Sequence, residues 1–95
     1  MKPLKIYSLE RKLVAFGLWM DADFINFFDE YGNYSAYGVT TGKGLLDIYN
    51  IDGDWIKYGI GNLDGLLDIY TLDGTYVFYG LPWLTPKQAI KRTGL

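Results

Sequence analysis

Apolar residues alternate with polar ones along most of the chain, and glycines interrupt the pattern too often for a stable helix. The alternation predicts short β-strands. Leu45 to Asn50 reads as one strand and residues 54–60 as the next, joined by the turn Ile51-Asp52-Gly53. This hairpin is one copy of a repeat. Gly44-Leu45-Leu46-Asp47-Ile48-Tyr49 returns unchanged 21 residues later as Gly65-Leu66-Leu67-Asp68-Ile69-Tyr70. The frame extends upstream through Gly32 and Tyr37-Gly38, and again through Ile6-Tyr7 and Phe16-Gly17, where Arg11 holds the place of the turn glycine. Four units follow, at about 2–22, 23–43, 44–64 and 65–85, with a tail at 86–95.

The turn type fixes which residues face each other. A two-residue loop would force Tyr31 to positive φ, which is costly for a bulky side chain. A three-residue loop ending in a left-handed glycine strains only Arg11, so this loop is expected in every unit. The resulting register puts Leu46 and Ile48 on a core face with Ile56, Tyr58 and Ile60, and Leu67 and Ile69 with Val77, Tyr79 and Leu81. The earlier units contribute Ile25 and Phe27 with Tyr37 and Val39, and Leu4 and Ile6 with Val14, Phe16 and Leu18. Polar pairs close the turns: Ser8 with Lys12, Asp29 with Asn33, Asn50 with Asp54, and Thr71 with Thr75. The outer face is expected to pair Phe28 with Tyr34, Tyr49 with Trp55, Tyr70 with Tyr76, Tyr7 with Leu13, and Asp47 with Lys57. It would also carry Gly17, Gly38, Gly59 and Gly80.

Short links make consecutive hairpins neighbours, giving an all-β, eight-stranded antiparallel meander, either an open curved sheet or an up-and-down barrel. The cations Lys2, Lys5, Arg11 and Lys12 on the first hairpin favour the open form, since lysines protect a free edge. The uncharged last strand, 75–81, would then need cover. Thr85-Pro86-Lys87-Gln88 has the signature of a helix start, and Gly94 that of a stop. A short helix at 86–92 is expected to dock through Ala89, Ile90 and Leu95, with Trp83 wedged at the junction.

Composition narrows the function. The 95 residues suffice for one small domain, and with 49% hydrophobic and 18% aromatic residues the chain is expected to fold. The absence of cysteine and histidine removes disulfides, thiolate metal sites and the commonest general base. The net charge of −2 separates into basic ends and an acidic middle, which argues against a nucleic-acid partner. No run matches a membrane span. Residues 13–20 imitate a signal-peptide core, but the repeat accounts for them in place, so a cytoplasmic location is expected.

The candidate binding surface is the outer aromatic row Phe28, Tyr34, Tyr49, Trp55, Tyr70 and Tyr76, with Asp47 and Asp68 alongside. Tyr and Trp are favoured at protein interfaces, and rings beside carboxylates can also hold sugars. The row could equally pack against the tail or a second copy. Residues 50–54 have a faint likeness to a calcium loop, but turn chemistry explains each of them and no metal is expected. Asp47 and Asp68 are the minimum carboxylate pair for glycoside hydrolysis, yet a repeat duplicates its scaffold residues, so neither a catalytic role nor a cofactor is expected. The build resembles that of choline-binding and MORN-type hairpin arrays. The spacing of Asp52-Gly53 and Tyr58-Gly59 reproduces neither motif, and no site residue carries over. The chain thus reads as a non-catalytic β-repeat protein acting through surface binding or self-association. The alternatives are a small inhibitor or adaptor with one macromolecular partner, or a glycan-binding module.

Overall fold

Residues 2–42 and 44–86 are described by a computed structural model. Eight strands form in chain order: β1 (Leu4–Ser8), β2 (Leu13–Trp19), β3 (Phe24–Asp29), β4 (Tyr34–Thr40), β5 (Leu45–Asn50), β6 (Trp55–Gly61), β7 (Leu67–Thr71) and β8 (Tyr76–Leu81). The three-residue turn occurs in all four hairpins. In the second, the Gly32 N–H donates to the Asp29 carbonyl at 3.0 Å and the Asp29 N–H to that of Asn33 at 2.8 Å. Gly32, Gly53 and Gly74 have φ of 87–88°, and Arg11 takes the same left-handed turn at φ 67°.

The sheet is a closed barrel. The free edge expected from the basic first hairpin does not exist, because β8 pairs with β1, from Lys5 opposite Leu81 to Ser8 opposite Phe78. The closing joint has the same register as the joints between successive hairpins. Gly80 faces Ile6 just as Gly17 faces Phe27, Gly38 faces Ile48 and Gly59 faces Ile69. The ring therefore repeats fourfold, and the uncharged β8 is covered by β1. Of the helix expected at 86–92 only Pro86 is described; the remainder, with Ala89, Ile90 and Leu95, lies outside the described residues.

A bulge in each hairpin corrects the expected faces. Tyr49 is opposite Trp55, but Ile48 is already opposite Lys57, so Ile56 is an extra residue; Val14, Ser35 and Val77 hold the same place. Beyond it the even strand is inverted relative to the simple alternation. Phe16, Tyr37, Tyr58 and Tyr79, expected inside, stand outside with Leu18, Val39, Ile60 and Leu81, while the four strand glycines turn inward. Asp47 is opposite Tyr58, so the expected Asp47–Lys57 pair is not formed. The odd strands keep their expected faces. Leu4, Ile25, Leu46 and Leu67 form one buried layer and Ile6, Phe27, Ile48 and Ile69 the next.

An eight-stranded barrel is only just wide enough for its interior side chains, and the glycines make the room. A Cβ on Gly17 would fall 2.6 Å from Ile25 Cδ1, one on Gly59 2.8 Å from Leu67 Cδ1, and one on Gly80 2.7 Å from Ile6 Cδ1. Trp83 fills the end of the lumen away from the hairpin turns. It is buried beside Trp19, and its backbone N–H donates to the Gly65 carbonyl at 2.7 Å. Its indole, whose own N–H is buried without a partner among the described residues, occupies the space a side chain at Gly61 would need.

Two glycines of one hairpin should therefore fail for different reasons. Gly59→Val should cost about 1–3 kcal/mol or more by overpacking against Leu67. Gly53→Val should cost more than about 1 kcal/mol through backbone strain alone, since only the Tyr37 hydroxyl lies near. Urea unfolding of both variants measures this, and Gly53→Ser should recover less of the loss than Gly59→Ala if the assignments hold.

Candidate functional site

The four hairpin turns surround the open end of the barrel. Ser8, Asp29, Asn50 and Thr71 end the odd strands there, and each ties down its own turn. The Asp29 carboxylate accepts from the N–H groups of Tyr31 and Asn33, both at 2.9 Å, and the Asn50 amide oxygen accepts from those of Asp52 and Asp54 at 3.0 and 2.9 Å. Ser8 and Thr71 accept from Lys12 and Thr75 in the same way. Asn50, which had a faint likeness to a calcium ligand, is engaged in this turn.

The backbone bonds and these caps, joined in the fourth turn by the Asp73 carboxylate, make the turns without help from the apolar residues at their tips. Each tip nonetheless sets one large apolar residue beside a charged one. Leu9, Tyr31, Ile51 and Leu72, one from each hairpin, are 50%, 82%, 62% and 47% exposed. Just below, on the outer wall, stand Leu13, Tyr34, Trp55 and Tyr76, the exposed first residues of the even strands. Together they form an apolar crown at the mouth.

The candidate row occupies the outer wall below the crown. Phe28, Tyr49 and Tyr70 are half-buried, Tyr34, Trp55 and Tyr76 exposed, and Asp47 and Asp68 half-buried. The row is not a flat stripe but part of a belt on a convex wall. Residues first assigned to the core complete it: Phe16 stacks on Phe28 at 5.5 Å, Tyr37 on Tyr49 at 5.2 Å, Tyr58 on Tyr70 at 5.4 Å, and Tyr79 on Tyr7 at 5.5 Å across the closing joint. Within hairpins, Phe28 meets Tyr34 edge-on and Tyr70 meets Tyr76 at a tilt. The Tyr76 hydroxyl donates to Asp68 at 3.1 Å, and partial burial with this carboxylate raises its pKa. Each stacked ring turns a face to its neighbour, so the exposed rings at the crown end, Tyr34, Trp55 and Tyr76, present the most surface for contact.

Between crown and plug, the lumen keeps a cavity of about 270 Å³. Ile6, Phe27, Ile48 and Ile69 line it from the odd strands, Ala15, Ala36, Lys57 and Phe78 from the even ones, and Val14, Ser35 and Ile56 from the bulges. The expected register puts Lys57 on the outside, and with it the equivalent Ala15, Ala36 and Phe78, so this space is not visible from the alternation alone. The signal was present in the glycines, whose fixed place in every unit marks a surface too crowded for side chains.

The turn caps make stability depend on acidity. Hydrogen bonds from the Asn33 backbone above all hold the Asp29 pKa below its ordinary value, and those from the Thr71 and Thr75 side chains do the same for Asp73. A depressed carboxylate stabilises the fold above its unfolded pKa, and that contribution is lost as pH falls through the folded value. Melting temperature should therefore fall on the acid side of the ordinary Asp range. Asp29→Asn, which copies the Asn50 turn, should flatten that fall and leave the neutral-pH melting temperature nearly unchanged. An equal acid slope in wild type and variant would show that other groups carry it.

Comparison with protein-family models, with curated proteins and with solved structures found no match to this chain, so crown, belt and lumen are assigned from its own residues.

Proposed function

We propose that the protein is a non-catalytic barrel that acts through its surface, as a self-associating assembly subunit that joins crown to crown. The observation that supports this is the apolar residue at each hairpin tip. Turn tips contribute nothing to a core, and a soluble monomer gains nothing from four of them clustered at one end. Leu9, Tyr31, Ile51 and Leu72, backed by Trp55 and its equivalents, supply the aromatic and aliphatic anchors typical of a contact surface.

Charge favours a second copy as the partner. Arg11 and Lys12 outweigh Glu10 on the first hairpin's turn, whereas Asp29 and Glu30, Asp52 and Asp54, and Asp73 lie on the turns of the second, third and fourth. Two crowns related by a twofold axis can set the basic turn of each against acidic turns of the other, and the contact is then self-complementary. The same acidic turns disfavour an anionic membrane surface.

Sedimentation velocity over a wide concentration range tests the proposal. The wild type should shift from monomer to dimer, more weakly at high salt because the charged rim is screened. Ile51→Asp with Leu72→Asp should remain monomeric and keep its melting temperature within about 0.5 kcal/mol equivalent, as exposed substitutions do. A wild type that stays monomeric throughout would overturn self-association. The small inhibitor or adaptor would then be the reading to test, by affinity capture on the intact crown against the Ile51→Asp variant.

A further inference from the structure

Lys57 departs from the repeat at the one height where the lumen is open. The equivalent residues of the other hairpins are Ala15, Ala36 and Phe78, any of which would leave that layer apolar. Lys57 instead lines the cavity, opposite Ile48 on one side and Thr71 on the other. It forms no ion pair among the described residues. The carboxylates of Asp29 and Asp73 are already engaged, the first by the N–H groups of Tyr31 and Asn33, the second by Thr71 and Thr75. The Lys57 ammonium is not among the buried atoms that lack a partner, so it reaches solvent at the edge of the apolar cavity, where the anionic head of a guest would give it a charge-assisted contact.

The rest of the lining defines what that guest is. Ser35 is the one other polar side chain around the space, so water finds few partners there, whereas hydrocarbon would meet Ile6, Phe27, Ile48 and Ile69. Cavities of about 150 Å³ lined by such residues take up benzene, which scales to a guest of about ten non-hydrogen atoms here. We infer that the lumen is a binding site for a small anionic amphiphile, a medium-chain carboxylate in size and chemistry. Its apolar tail lies among the isoleucines and its head is held by Lys57.

The inference separates from simple hydrophobic uptake by the order of two ligands. Octanoate and octan-1-ol share a tail, and an apolar pocket without a cation prefers the alcohol because the carboxylate is costlier to desolvate. The intact protein should prefer octanoate, by about tenfold, through the charge-assisted contact with Lys57. Titrations followed by isoleucine methyl NMR should move Ile6, Ile48 and Ile69 and leave the exposed Ile51 and Ile60 in place. Lys57→Met, of similar length and apolar, should fold normally and reverse the order to favour the alcohol. Ala36→Phe, which copies Phe78 across the lumen, should abolish uptake of both. Luminal methyls that stay still up to the solubility limit, shifts confined to Ile51, or an unchanged preference for octanoate in Lys57→Met would each overturn the assignment.

Discussion

Steric crowding inside an eight-stranded ring governs this fold. A lumen of that circumference cannot take a large side chain from every strand at every height. The chain meets the limit by assigning bulk to the odd strands and glycine to the even ones, so that Leu4, Ile25, Leu46 and Leu67 close over Gly17, Gly38, Gly59 and Gly80. The bulge in each hairpin follows from the same constraint. It turns the glycine inward and sends the adjacent aromatic, Tyr58 and its equivalents, to the outer wall. There the aromatic stacks on the next hairpin, so one local irregularity sets both the packing inside and the joints outside.

The hairpins, their turns and the odd-strand core were legible in the sequence because they depend on local chemistry. Gly53 and Gly74 mark left-handed turns, and the alternation through Leu46 and Ile48 survives unbroken. Closure and the faces of the even strands were not legible, because both depend on contacts distant along the chain. Nothing near Ile56 announces a bulge, and only its consequence, an inward Gly59 against Leu67, explains it. The cations on the first hairpin suggested edge protection, yet Lys5 belongs to the closing ladder opposite Leu81. The candidate aromatics lie on the outer wall, but four further rings of the belt, Phe16, Tyr37, Tyr58 and Tyr79, are ones that simple alternation places in the core.

Departures from the repeat are the informative positions. Where the units agree, they specify a scaffold. Where they differ, at Arg11 in a turn that elsewhere uses glycine, or at Lys57 in a layer otherwise filled by alanine and phenylalanine, the scaffold alone does not dictate the residue. The lumen narrows by the same logic: Phe78 reaches into it from one side, Ala15 and Ala36 leave the other side open, and Trp83 seals one end.

The closing joint carries one more consequence. Because β8 meets β1 in the register used at every other inter-hairpin joint, the ring has no intrinsic beginning. The point at which the polypeptide starts is an accident of connectivity, not a requirement of the packing. A chain rearranged to open at the link before β5 would rebuild the same four joints, provided that the segment bearing Trp83 still followed β8 to reach the lumen.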